Sequence, residues 1–272
     1  MINYTLLKRE LKANYKIILI FIAVLAMYTS VIVWMYGAFV ADIGNQNNSL
    51  FQMMEQMPEL ANMFGFSLQS TDYTSFLSSY LYGMIMLIFP LIYIIIMSNK
   101  LMTRYIDKGS MAYLLATPNS RKKIAATQML FYILSTTSIL ILAGLFIFIE
   151  SAIKYPGTID IGKFLLLHFG CLSFHIMLCG IFFAISCSFS ESKKTLGLCS
   201  SIGIGFYLID MLSNMGSSLD CLKFLTIFSL FDSNGLLNYE PLSIIFIFLM
   251  LLISSISFGL GIYQFSRRDL SI

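Results

Sequence analysis

The sequence predicts an all-α integral membrane protein with six transmembrane helices, preceded by an amphipathic helix at the membrane interface. Three observations carry that expectation. Of 272 residues, 58% are hydrophobic and 11% charged, where soluble domains hold about 45–50% and about 25%. Six apolar runs reach the ~20 residues that a spanning helix needs. The basic residues fall on alternate connections, as the positive-inside rule requires. The same figures exclude other classes. Disorder needs low hydrophobicity and high net charge, and a net charge of +3 is too weak for the dense basic face of a nucleic-acid binder. Barrel strands would read as alternating stretches of ~10 residues, which are absent.

In chain order, Asn3–Lys16 places Leu7, Leu11, Tyr15 and Ile18 on one helical face and Lys8, Lys12 and Lys16 beside it. Residues 1–16 therefore read as an interfacial helix that bends into the membrane, or as an ordinary basic flank. The transmembrane region, 17–264, holds spans at about Ile17–Val40, Phe76–Met97, Ile124–Ile149, Phe164–Cys187, Leu196–Met215 and Leu242–Gln264. The first run is longer than a signal-peptide core, so it reads as an uncleaved anchor. The first loop carries an amphipathic helix around Leu50–Phe64, broken before Pro58, because proline lacks the amide donor. The 98–123 connection and the 265–272 tail complete the chain.

Charge orients these spans. Lys8, Arg9, Lys12, Lys16, Lys100, Arg104, Lys108, Arg121, Lys122, Lys123, Lys193, Lys194, Arg267 and Arg268 lie on one side, 14 of the 17 basic residues. Four acidic residues accompany them: Glu10, Asp107, Glu191 and Asp269. That side is expected to be cytoplasmic, with both termini in it. Cys171, Cys179, Cys187 and Cys199 lie within the spans or at their ends and Cys221 stands alone outside them; they read as small apolar side chains, not as a disulfide framework.

The 98–123 connection is the most informative stretch. Gly109 and Ser110 mark a turn and a helix N-cap; Met111, Leu114 and Leu115 form a short apolar face; Pro118 ends it; Asn119 or Ser120 caps the next helix. Such a helix either docks a soluble partner or tucks under the bilayer. Gly109-Ser110, an apolar turn ending Leu114-Leu115-Ala116-Thr117-Pro118, then Ser120-Arg121 and a new span resemble the permease subunits of bacterial ATP-binding cassette exporters of the second, six-span class. Met57-Pro-Glu-Leu-Ala-Asn-Met-Phe-Gly65 and the ending Phe265-Ser-Arg-Arg-Asp-Leu270 are similar to two weaker motifs of that family, and the layout covers the whole chain. The family often carries acidic residues at both positions before the glycine; here Asp107 fits one and Tyr105 stands at the other.

The resemblance implies a multi-pass subunit of the bacterial plasma membrane that pairs with a second permease subunit, the same chain or a paralogue, and with a separate ATPase. Residues 103–121 would be the coupling element, with Asp107, Gly109, Ser110, Met111, Tyr113, Leu114, Leu115, Pro118 and Arg121 as contacts. Glu191, Lys193 and Lys194 would make a smaller second contact. The chain has no phosphate-binding loop, so it is expected not to be an enzyme. No cofactor is expected in it, and ATP and magnesium would be bound by the partner. The greasy, aromatic spans suggest an amphipathic or hydrophobic cargo, such as an antimicrobial peptide, a drug or a lipid-like molecule. The alternatives are a secondary transporter or channel, and a non-transporting sensor or assembly module.

Within the spans, Pro90 frees the carbonyl of Met86 and reads as a hinge, a cavity wall or a packing kink. His168, Cys171, His175 and Cys179 share a face of the fourth span. They suit a polar cavity lining or simple interhelical hydrogen bonds better than a metal, since the two histidines stand ~10 Å apart along the axis. Asp210 lies toward the outer end of the fifth span, as a cap or as an ion or substrate ligand. Small residues repeat every four positions at Gly197, Ser201 and Gly205, at Gly180, Ala184 and Ser188, and at Ser255 and Gly259. Close helix approach there serves a dimer or the chain's own packing.

Overall fold

The structure is a computed structural model that describes residues 2–43, 72–215 and 217–268. The expected outer helix at Leu50–Phe64, the Met57–Gly65 motif and residues 269–272 of the tail lie outside the described residues. Among those described, every regular element is helical. The long helices are α1 (Tyr4–Ile43), α2 (Tyr73–Asp107), α4 (Arg121–Lys154), α5 (Ile161–Ser188), α6 (Ser192–Ser213) and α8 (Pro241–Arg267). The short α3 (Met111–Leu115) follows α2. Two 3₁₀ segments, Ser217–Leu225 and Ile227–Leu230, and the short α7 (Ser233–Leu237) link α6 to α8. All six long helices are apolar and long enough to cross a membrane; even α6, with 22 residues, is about 33 Å long.

Two boundaries differ from the sequence expectation. Residues 1–16 do not form a separate element: α1 runs past Lys16 without a break. Its inward stripe is also shifted by one position. Leu6, Glu10, Asn14 and Ile18 are buried, while Leu11 and Tyr15 of the expected apolar face are exposed. In turn, α2 does not stop at Met97 but continues to Asp107. It passes through a π-helical stretch at Asn99–Thr103, where Leu101 and Met102, and Ile106 beyond them, keep an apolar face buried. The 98–123 connection is thereby shortened to residues 108–120.

The basic ends of the helices are tied together by polar side chains. Glu10 is only 2% exposed. Its carboxylate accepts from the Tyr105 hydroxyl at 2.6 Å, the Gln128 amide at 3.0 Å and the Asn14 amide at 3.0 Å. That joins α1 to α2 and α4. Arg268 donates to the Cys187 carbonyl at 3.1 Å and to the Ser190 hydroxyl, closing the end of α8 onto the α5–α6 corner. At the opposite end, Asp72 and Asp160 cap the first turns of α2 and α5. Tyr36, Tyr73, Phe76 and Tyr155 pack with ring centroids 4.6–5.4 Å apart, in the offset and edge-on geometries aromatic rings favour.

The tightest helix pair is α5 with α8. A Cβ at Gly180 would stand 2.9 Å from the Ser254 carbonyl oxygen, and one at Gly261 would stand 3.2 Å from the Ala184 Cα. Phe183 and Phe258 fill the space beside them, with ring centroids 5.5 Å apart. The Gly180 repeat is therefore used inside the chain. A Cβ at Gly197, Gly205 or Gly259 would meet nothing within 4 Å, so those repeats face outward.

Two substitutions test this packing. Gly180→Ala is expected to destabilise the chain by about 1–3 kcal/mol of overpacking, read as a lower thermal midpoint in detergent, whereas Gly197→Ala gains helix propensity of up to ~1 kcal/mol and should raise it; shifts of the same sign would contradict the assignment. Tyr105→Phe is expected to cost about 1.5–3 kcal/mol, the range for a hydrogen bond to a charged group. Faster amide exchange in residues 4–16 is the local readout.

Candidate functional site

At the basic end, α3 projects from the tip of α2. The turn between them needs Gly109, whose φ is +67°, a left-handed conformation that side chains with a Cβ rarely adopt. Ser110 occupies the N-cap position, but its hydroxyl bonds back to the Tyr105 carbonyl at 3.2 Å and not to the α3 amides. It satisfies the end of α2 and does not start α3. The apolar face reads differently as well. Met111 is fully buried, and Leu114 and Leu115 are half-buried against the core. Tyr113 points away at 81% exposure, with Asp107, Gly109 and Pro118 exposed around it.

The three aliphatic residues therefore anchor the element, and Tyr113 is what it presents. Arg121 is half-buried and donates to the Arg268 carbonyl at 2.5 Å. That bond places the α3 connection beside the α5–α6 corner, where Lys194 pairs with Glu191 at 2.7 Å and Lys193 is exposed. Both expected contact regions thus lie at one end of the molecule. Ser120 caps α4 by accepting from the Lys123 amide at 3.3 Å.

Inside the bundle, Pro90 and the histidine face meet. Proline at 90 leaves the Met86 carbonyl without its helical partner. The Cys171 thiol donates to that carbonyl at 3.9 Å. The His175 ring lies between the Cys171 carbonyl, 2.8 Å from Nδ1, and the Leu87 carbonyl, 3.4 Å from Nε2. A neutral ring donates to one carbonyl at a time, and the shorter contact is to the carbonyl of its own helix, with Leu87 facing the other nitrogen. His168 accepts from the Tyr82 hydroxyl at Nδ1, 2.8 Å, and donates from Nε2 to the Leu140 carbonyl at 3.1 Å. Gly144 leaves room for this ring: a Cβ there would fall 2.6 Å from Nε2. Cys179 pairs with the Thr136 hydroxyl at 3.4 Å. Cys171 and His175 are coupled, their Sγ and Nδ1 3.6 Å apart, whereas His168 and Cys179 each bond to other neighbours.

Asp210 lines a cavity of about 470 Å³ at the end opposite α3. One wall comes from the first π-helical stretch of α2, Ser78–Ile85, through Ser79, Tyr82 and Gly83. The last turns of α6 supply Tyr207, Asp210, Met211 and Asn214, and the α6–α8 linker supplies Lys223, Phe228, Ser229, Phe231 and Asp232. Asp232 is committed to structure: it accepts from the Gly235 amide at 3.0 Å and the Ser243 hydroxyl at 3.1 Å. Asp210 is half-buried, and among the described residues its carboxylate caps no helix. It sits in the last turn of α6, where the helix dipole disfavours a carboxylate.

Sequence reasoning singles out Asp210 but none of the cavity's other walls. It misses Glu10, which in a lysine-rich helix reads as a solvated residue. The one signal is Tyr105 replacing an acidic residue opposite it.

No curated protein matches the chain, and no solved structure does. A family model described as multidrug efflux system permease Rv1217c, C-terminal domain, matches residues 21–266. The match runs from the middle of α1 to the end of α8. The chain therefore belongs to this family of multidrug efflux permeases, as a multi-pass membrane protein of an efflux system.

Proposed function

We propose that the chain is the membrane-spanning subunit of an ATP-driven exporter of the ATP-binding cassette class. In this reading two permease subunits, identical or paralogous, form the pathway in a bacterial plasma membrane. Both termini and α3 face the cytoplasm, following the distribution of Lys and Arg. A separate ATPase binds ATP and magnesium, and the chain itself performs no hydrolysis. The cargo is amphipathic or hydrophobic, in keeping with a multidrug efflux family.

The observation that carries this reading is the geometry of α3. It is a short helix, anchored by Met111 and offering an exposed tyrosine, on the continuous extension of a spanning helix. Tyrosine is among the residues that dominate binding when they fill a partner's pocket. Closure of the ATPase would push on α3, and α2 would carry that motion into the membrane. The Arg121–Arg268 bond adds the α5–α6 corner to the same contact.

The test is purification of the tagged full chain from its own membranes, wild type against Tyr113→Ala. The wild type is expected to carry a phosphate-loop ATPase at near-equal stoichiometry. The variant is expected to lose ~2 kcal/mol of association, about 30-fold in affinity. Its melting behaviour should stay within about 0.5 kcal/mol of wild type, as for an exposed residue. A wild-type chain that transports cargo without any ATPase would instead establish secondary transport.

A further inference from the structure

The cavity under Asp210 has a composition that selects among cargo types. At about 470 Å³ it is the size of a drug site, within the usual 300–1,000 Å³, and far larger than a bare ion needs. Among the described residues, two carboxylates and one ammonium line it, so an anion meets net repulsion. The two carboxylates are not equivalent. Asp232 is held by Gly235 and Ser243. Asp210 has no hydrogen bond to its carboxylate among the described residues, and the charge that acts on it is the ammonium of Lys223, an exposed residue at the rim.

The apolar side is aromatic. Tyr207 and Phe228 meet edge-on with centroids 5.5 Å apart, and Tyr82 and Phe231 complete that wall. Aromatic faces beside a carboxylate are the arrangement that holds organic cations, because the ring quadrupole and the anion attract the same charge.

We propose that this cavity binds an amphipathic organic cation, its charge against Asp210 and its apolar body among Tyr82, Tyr207, Phe228 and Phe231. Lys223, which lines the same cavity, is a like charge that opposes the cargo's cation. This rests on the reading of the chain as a cargo-carrying subunit and adds the cargo's chemical class.

The probes are tetraphenylphosphonium and tetraphenylborate, which share a shape and differ in the sign of charge. Binding is measured by equilibrium dialysis on the full chain in neutral detergent, without ATPase or nucleotide. The wild type is expected to bind the phosphonium saturably, and at least about tenfold tighter than the borate. Asp210→Asn, which keeps the shape of the side chain, should weaken phosphonium binding by about tenfold. Lys223→Ala should strengthen it. Absence of saturable phosphonium binding, equal affinity for both ions, or an unchanged affinity in Asp210→Asn would each overturn the proposal. Because the assay contains no ATPase, a chain that binds the cation but recruits no ATPase overturns only the coupling mechanism. A chain that recruits the ATPase but ignores the charge of the probe overturns only the cargo class.

Discussion

The structure depends on one constraint: within hydrocarbon no water is present to satisfy a backbone carbonyl or a buried side chain. The chain meets it with side chains that reach from one helix to the carbonyls of another. The Tyr132 hydroxyl donates to the Ile94 carbonyl at 2.6 Å, Thr103 to Ser186 at 2.9 Å and Ser254 to Ile176 at 3.0 Å. Cys171 does the same for the carbonyl that Pro90 frees. Since lipid removes the hydrophobic drive between helices, such bonds and close small-residue contacts are what hold them in register. Three of these four bonds involve α5, which also carries both histidines and the glycine against α8. Its position as the hub follows from chemistry that a hydropathy profile scores as noise.

The six spans are legible because bilayer thickness imposes a length that composition alone reveals. Their ends are less so. Lys100 and Arg104 look like the start of a loop, yet α2 continues through them, because long basic side chains extend to the interface while the helix keeps its apolar face. The inward stripe of α1 is displaced from its expected position for a related reason. A buried Glu10 makes sense only once Tyr105 and Gln128 stand beside it, and both are about a hundred residues away in sequence. In α3, periodicity identifies the apolar residues correctly but cannot say which side of a five-residue helix meets the protein.

The candidate cavity shows the same division. Asp210 stands out because a carboxylate in an apolar run is expensive. The remaining walls come from α2 and from the irregular α6–α8 linker, segments that no local pattern connects. The π-helical stretch Ser78–Ile85 is invisible to periodicity as well. Such stretches arise where tertiary contacts override the regular hydrogen-bond ladder, and they recur at functional sites. Here one forms a cavity wall, and a second, Asn99–Thr103, precedes α3.

The uninterrupted run of α1 has a mechanical consequence. Forty residues of helix make a rod about 60 Å long, twice the hydrocarbon thickness of ~30 Å. With no proline in its sequence, the helix carries no built-in kink at the membrane surface at which to absorb a tilt. Pivoting near one end by ~5° sweeps the other through about 5 Å, one helical turn. The hydrogen bonds at Glu10 fasten the short arm of that lever to α2 just before α3, and the long arm reaches the opposite side of the bilayer.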